Sequence, residues 1–224
     1  MSANESTGRT LLVALVISVV CSIVISSAAV GLKPAQLANK ALDKKKNILA
    51  AAGLLEPGKA VDQLFEKVET RVVNIRTGEY LSVENAVEGW EKAIAADPMD
   101  YEQRKAVKTP GEFYRLTGEE DLAKIRKQAK FANVYLVTNA SDELDIIILP
   151  VHGYGLWSTL YGFLALKPDT KTIVGLGFYE HGETPGLGGE VDNPHWKAQW
   201  SGKLALSSDY QPDIKVIKGV VNPA

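Results

Sequence analysis

The chain has 224 residues, a formal net charge of −2 and a hydrophobic content of 46%. This length fits one anchor plus one globular domain, and the near-neutral charge, with no basic patch beside aromatic residues, gives no sign of nucleic-acid binding. The single cysteine, Cys21, lies in an apolar run, which excludes disulfides, zinc clusters and cysteine-held iron–sulfur centres from the rest of the chain. Any redox chemistry therefore needs an organic cofactor.

An uncharged apolar run extends from Leu11 to Leu32. At ~1.5 Å per residue a helix of this length reaches roughly 33 Å, close to the ~30 Å hydrocarbon core of a membrane. The sequence predicts an N-terminal tail over residues 1–10 and a transmembrane helix over residues 11–32. A cleaved signal peptide is the alternative, since Ser26-Ser27-Ala28 could serve as a cleavage site, but the long apolar run and the lone Arg9 before it favour a retained anchor.

The predicted span has a face of small residues and an asymmetric charge environment. Ser18, Ser22 and Ser26 recur every fourth residue, which would let another membrane helix pack closely. Five lysines follow the span, at Lys33, Lys40, Lys44, Lys45 and Lys46. By the positive-inside rule these lysines place the C-terminal domain in the cytoplasm, although long domains translocate largely regardless of charge.

Residues 33–224 are predicted to form one mixed domain. Its first half is predicted to contain helices over Pro34–Ala52, Val61–Glu69, Ala86–Ala96 and Glu119–Lys130, with a strand over Arg71–Arg76. Gly53 should end the first of these helices, because glycine readily adopts the left-handed conformation that closes a helix.

The second half of the domain is dominated by strand patterns. The predicted strands are Asn133–Val137, Leu144–Leu149, Phe163–Leu166, Thr172–Tyr179 and Ile214–Ile217. The unbroken apolar run Ile146–Leu149 indicates a strand buried on both faces. A helix is predicted over Pro194–Leu204, with Trp196 and Trp200 on one face as core residues. Helices early and hairpins late predict an α+β fold with a largely antiparallel sheet.

The segment Tyr179–Glu190 is rich in glycine and proline and must be a shaped loop. Thr184-Pro185-Gly186 suits a type II turn, with Pro185 setting φ and Gly186 taking φ > 0. Two carboxylates, Glu183 and Glu190, flank this turn. Composition alone favours a simple surface connection between strands.

Three motifs in order change that interpretation. The run Glu183–Gly188 resembles the signature of FMN-binding domains in bacterial respiratory complexes, with Pro150–Ser158 before it and Asn193–Trp200 after it. Together with the N-terminal anchor, the chain resembles the family of C subunits of the sodium-translocating NADH:quinone reductase, from about residue 8 to about residue 219. The related G subunits of the Rnf electron-transport complex share the central loop less completely.

The resemblance implies an FMN site. Such a site needs a flat apolar wall and backbone groups near the polar edge of the ring system. Trp157 and Leu187 are the candidates for the wall, although a core position is the alternative for Trp157. The expected cofactor-binding set is Trp157, Glu183, Thr184, Pro185, Gly186, Leu187 and Gly188, with no catalytic residue and no metal.

The resemblance also implies a role and a location. The protein would relay electrons through FMN within a complex of the bacterial inner membrane that oxidises NADH, reduces ubiquinone and moves sodium ions. Other subunits of the complex would be its partners and would bind NADH and the quinone, since no G-x-G-x-x-G motif occurs in the chain. The resemblance places the soluble domain in the periplasm, against the positive-inside rule.

One motif of the family is not found in these 224 residues. In the family, a threonine in a Ser-Gly-Ala-Thr motif near the C-terminus carries FMN through a phosphoester bond, and Ser201-Gly202-Lys203 matches it only superficially. The alternative is therefore a cofactor-free, membrane-anchored docking or assembly protein. A hydrolase built on Glu183 and Glu190 is more remote, and His152, His181 and His195 lack the spacing of metal ligands.

Overall fold

A computed structural model describes residues 7–82, 97–217 and 219 of the chain. The chain divides into two compact units, Met1–Lys44 and Lys45–Ala224. Helix α1 spans Thr7–Ala51 without interruption at Pro34. Among the described residues, α1 is the one helix that is both long enough and apolar enough to cross a membrane. The Ser22 hydroxyl donates to the Ser18 carbonyl at 2.7 Å, so it is satisfied within the helix.

The C-terminal end of α1 is closed as the sequence predicts. Gly53 has φ 70°, its amide donates to the Ala50 carbonyl at 3.1 Å, and the Leu54 amide donates to the Leu49 carbonyl at 2.9 Å. These two bonds form a Schellman motif, which satisfies carbonyls that the helix leaves open. Ile48 and Leu49 lie in this last turn and are fully buried.

A five-stranded antiparallel sheet forms the centre of the second unit. Its strands are β1 (Val68–Asn74), β4 (Phe131–Thr138), β5 (Leu144–Tyr154), β6 (Thr159–Leu166) and β7 (Ile173–Glu180). They lie in the order β1-β4-β5-β6-β7, and every neighbouring pair is antiparallel. The predicted α+β class and antiparallel sheet are confirmed. The segments that follow β5 and β7 are neighbouring turns.

The main hydrophobic core lies on one face of the sheet. Ile146 and Ile148 of β5 are buried there with Ile48 and Leu49 of α1. Ile147 and Leu149 are half-buried on the other face. The run 146–149 is thus covered on both sides, more completely on one. Helix α2 (Val61–Phe65) contributes Leu64 and Phe65 to this core, and a smaller cluster forms around Ile173.

The helix predicted over Glu119–Lys130 is wrong. This stretch contains turns and strand β3 (Lys127–Ala129), which pairs with β2 (Phe113–Arg115). Lys124 and Arg126 have φ of 53° and 62°, which a helix does not allow. The Asp121 carboxylate accepts hydrogen bonds from the amides of Ile125 and Arg126 at 2.7 and 2.8 Å, so it shapes a loop where the charge pattern suggested a helix.

Other predicted boundaries also change. The helix predicted over Val61–Glu69 ends at Phe65, because Val68 already pairs with Val137 in the sheet. No strand forms over Ile214–Ile217, which belongs to a loop whose Ile214 packs on the smaller cluster. The prediction for Ala86–Ala96 lies outside the described residues. Between β1 and β2, a 3₁₀ turn (Pro98–Asp100) and α3 (Gln103–Ala106) are described.

The helix predicted over Pro194–Leu204 is shorter than expected. It follows a 3₁₀ turn (Gly188–Asp192) and forms only α4 (Pro194–Ala198). Trp196 and Trp200 are half-buried and make an edge-on contact with ring centroids 5.2 Å apart. Their prediction as core residues is therefore only partly correct, since each keeps one side near the surface.

Candidate functional site

The loop after β7 and the turn between β5 and β6 are joined by Glu183. Its Oε1 accepts hydrogen bonds from the amides of Trp157 and Ser158, both at 3.1 Å. In the reverse direction, the Gly182 amide donates to Ser158 Oγ at 2.6 Å. We call turn 155–158 and loop 181–189, held together in this way, the cradle. Two segments that are distant in sequence thus form one surface.

Two glycines allow the cradle to close around the Glu183 carboxylate. A Cβ atom on Gly155 would lie 2.5 Å from Glu183 Oε1, and one on Gly188 would lie 2.9 Å from Glu183 Oε2. Any side chain at either position would therefore collide with the carboxylate. These glycines serve the approach of Glu183, which is only 9% exposed.

The predicted type II turn is present. The Leu187 amide donates to the Thr184 carbonyl at 3.1 Å across the turn, and Gly186 has φ 74°. The same carbonyl accepts from the Gly189 amide at 3.0 Å. The amides of Leu187 and Gly189 are therefore used inside the loop.

Large apolar side chains project from both parts of the cradle into solvent. Trp157 is 66% exposed, Leu187 is 73% exposed and Leu156 is 76% exposed. The core alternative for Trp157 is thus wrong, because its backbone is held by Glu183 while its ring lies outside. Exposed apolar side chains grouped on one surface mark a ligand or partner site. These exposed side chains supply the apolar surface that an isoalloxazine ring requires, so the residues present fit FMN.

Polar contacts fix the outer side of loop 181–189. His181 Nε2 lies 2.8 Å from Asp192 Oδ2, and its Nδ1 accepts from the Glu183 amide at 3.2 Å. The Asn193 side chain donates to Glu190 Oε2 at 2.8 Å. The Glu190 carboxylate thus accepts from the residue that caps α4. Among the described residues, no group of three or more potential metal ligands occurs.

A cleft of about 630 Å³ lies beside the cradle, between the sheet and the segment that carries α3 and β3. Its lining includes Arg104, His152, Tyr161 and Tyr179. His152 and Tyr161 are register partners on β5 and β6, and their rings stack with centroids 5.6 Å apart. Sequence reasoning did not find this group. The alternating pattern of β6 could have indicated it, because Tyr161 and Phe163 share a face.

Glu183 and His152 are two of the groups in this region whose pKa values are shifted. Hydrogen bonds from the amide of Trp157, and then of Ser158, hold the pKa of Glu183 below its usual range despite partial burial. Burial lowers the pKa of His152, and the nearby Arg104 guanidinium lowers it further. At neutral pH, Glu183 is therefore an anion that orders two amides, and His152 is uncharged.

Comparison with known proteins adds to this geometry. Residues 155–220 match the model of the FMN-binding domain family, a range that contains the whole cradle. The chain is 48% identical over 227 aligned positions to the C subunit of the Na(+)-translocating NADH-quinone reductase of Pseudomonas aeruginosa, covering all of this chain and 82% of that protein. It is 47% identical to the C subunit of the same reductase from Vibrio campbellii, covering 97% and 80%.

Two solved structures are similar in fold. The crystal structure of Shewanella oneidensis NqrC superposes with a TM-score of 0.72 at 32% identity, covering 83% of this chain and 80% of that one. The crystal structure of the C subunit of the Na(+)-translocating NADH-quinone reductase from Parabacteroides distasonis gives a TM-score of 0.56 at 25% identity, covering 81% and 74%.

Proposed function

Because the chain belongs to the family of C subunits of the Na(+)-translocating NADH-quinone reductase, we propose that it relays electrons through FMN at the cradle. It is a subunit of this oxidoreductase complex and is not catalytic alone. FMN supplies the redox chemistry, since it accepts electrons and passes them on. The protein binds, orients and shields the flavin. The observation that carries the proposal is the exposed apolar surface on a loop built around the buried Glu183 carboxylate.

The side chains of the cradle divide into two roles. Trp157 and Leu187 provide apolar surface for the ring system, because both are exposed while their backbones are fixed. Gly186 and its neighbours offer backbone groups to the polar edge, and a Cβ on Gly186 would meet nothing within 4 Å, so the ligand can approach closely. Pro185 sets the turn. Glu183 orders both halves of the cradle from beneath.

Anchoring and partners follow from membership of the complex. The chain is anchored in the membrane, and α1 is the candidate anchor. We place it as a single pass in the inner membrane, with the cradle on the periplasmic side. Other subunits of the complex are its partners. NADH and the quinone are assigned to those subunits, and for NADH the missing G-x-G-x-x-G motif supports this assignment.

The proposal is tested on the protein within its complex, purified from native membranes. A flavin-fluorescent band at the position of this chain on a denaturing gel would show covalently held flavin. Flavin that is released on denaturation of the chain after its isolation from the complex would show non-covalent binding. Either result supports the assignment of FMN to this chain. A chain without flavin in either form would refute it and favour the docking or assembly role.

The location of the flavin is tested by three variants. Trp157→Ala and Leu187→Ala should make the flavin more accessible, with iodide quenching of its fluorescence increased about threefold or more, because each removes part of an aromatic or aliphatic wall. Leu204→Ala is the matched control, since Leu204 is an exposed leucine outside the cradle. Equal quenching in all three variants and the parent would place the flavin elsewhere.

A further inference from the structure

An ion pair joins α3 to the last residue of the strand that leads into the cradle. Arg104 Nη1 lies 2.6 Å from Glu180 Oε2, and Nη2 lies 2.8 Å from Oε1, a bidentate arrangement. The Arg104 guanidinium also lies over the Tyr161 ring, with its central carbon 4.0 Å from the ring centroid. One side chain thus holds two adjacent strands, since Tyr161 and Glu180 are register partners.

The place of Glu180 in the chain makes this contact relevant to the site. It ends β7, and the next three residues are His181, Gly182 and Glu183. Gly182 binds Ser158, and Glu183 binds the amides of turn 155–158. A shift at Glu180 therefore moves the start of the loop relative to the turn that Glu183 must reach.

The same segment also holds the other half of the cradle. The Tyr154 amide, at the end of β5, donates to the Ala123 carbonyl at 2.8 Å. Ala123 lies against Gly153, where an added Cβ would meet it at 3.6 Å. Residues 104 and 123 thus contact the two strand ends from which turn 155–158 and loop 181–189 emerge.

From these contacts we infer that Arg104 is a positioning residue for the cradle, acting through Glu180 and Tyr161. It does not touch the flavin surface. Its guanidinium fork matches the Glu180 carboxylate at two points and its plane covers the tyrosine, a combination that lysine cannot reproduce. The pair is about half exposed, so its effect is on the local order of loop 181–189 and not on the stability of the whole domain.

The test is amide hydrogen exchange on the full chain in detergent, without reference to flavin. In Arg104→Gln, the Gly182, Trp157 and Ser158 amides should exchange about threefold to tenfold faster. Amides in the ladder between β4 and β5 should keep their rates, which separates local loosening from global destabilisation. Arg104→Lys should give an intermediate rate, since it retains the charge but not the fork.

A double-mutant comparison identifies the route. Glu180→Gln should accelerate the same amides, and the Arg104→Gln/Glu180→Gln double variant should exchange no faster than Arg104→Gln, because both changes break one link. The control is Arg71→Gln on β1. It removes an exposed ion pair with Glu69, whose N–O distance is similar to that of the Arg104–Glu180 pair, and a contact with the Tyr80 ring. Unchanged cradle amides in Arg104→Gln, or equal acceleration in Arg71→Gln, would overturn the inference.

The inference rests on the proposed function only in calling the cradle the flavin site. Where flavin is bound, its midpoint potential should shift in Arg104→Gln and stay unchanged in Arg71→Gln, as expected for a ring whose surroundings have moved. Absence of flavin from the chain would refute the proposed function and leave the exchange result intact. An unchanged potential together with unchanged exchange would refute the positioning role and leave the flavin assignment intact.

Discussion

Replacing Gly155 by alanine should damage the cradle from inside. The new Cβ would lie 2.5 Å from Glu183 Oε1, whereas ordinary van der Waals contact begins at 3.4 Å. The oxygen must retreat by roughly 0.9 Å. It also accepts the two hydrogen bonds at 3.1 Å from turn 155–158, so a retreat of this size breaks at least one of them. The Leu160 side chain meets the same Cβ and limits other ways of relaxing.

The expected cost is that of overpacking, about 1–3 kcal/mol of unfolding free energy. For a domain of this size each kcal/mol lowers the melting temperature by about 2–4 °C. The assay is thermal unfolding of the full chain, and iodide quenching of tryptophan fluorescence, compared with and without Trp157→Phe, reports on the cradle. Gly177→Ala is the control, because a Cβ there meets nothing within 4 Å. Both changes equally reduce the freedom of the unfolded chain. Equal melting temperatures for the two variants would refute the role of Gly155.

Two further predictions concern the pH dependence of the folded chain, and a third concerns one buried hydroxyl. Glu183 has a folded-state pKa below 4.5, so its stabilisation of the cradle is present above 4.5 and lost as the pH falls through that lower value; the protection factor of the Gly182 amide, which is its exchange rate relative to an unfolded chain at the same pH, should fall there, and Glu183→Gln should abolish this pH step. His152 has a folded-state pKa below 6.5, so the unfolded chain binds more protons, and the free energy of unfolding should fall below pH 6.5; urea titrations of His152→Gln should show a smaller fall, and an equal fall would contradict the assignment. Tyr101→Phe removes a hydroxyl that donates to the Phe131 carbonyl at 2.9 Å and should cost about 1–2 kcal/mol in urea unfolding, where no change would show that water replaces the bond.

Local chemistry made the hairpins and turns predictable. The turn after β4 and the type II turn at Gly186 follow from residues that favour those backbone conformations. Gly53 ends α1 for the same reason. In each case the residues that determine the conformation are adjacent in the chain, so the sequence displays them together.

Predictions failed where loop hydrogen bonds or strand pairing overrode helix propensity. The acids and bases of residues 119–130 fit a helix by charge, but Asp121 instead satisfies two amides of a loop, and Ala129 pairs with Phe113 in the small sheet. The helix that begins at Val61 ends early because the chain from Val68 onward pairs with β4 as strand β1. Propensity is a weak preference, and pairing with a strand far along the chain exceeds it.

The sequence by itself determined the family, the apolar N-terminal segment, the antiparallel hairpins and the glycine-rich loop with its type II turn. Only the tertiary structure decided what that loop is built on. Glu183 reaches turn 155–158, and Arg104 reaches Glu180, across separations of tens of residues. The sheet register brings these groups within hydrogen-bond distance. The amino-acid sequence does not display that distance, because the residues lie far apart along the chain. Trp157 lies in the turn that follows β5, and only the structure shows that its ring is exposed.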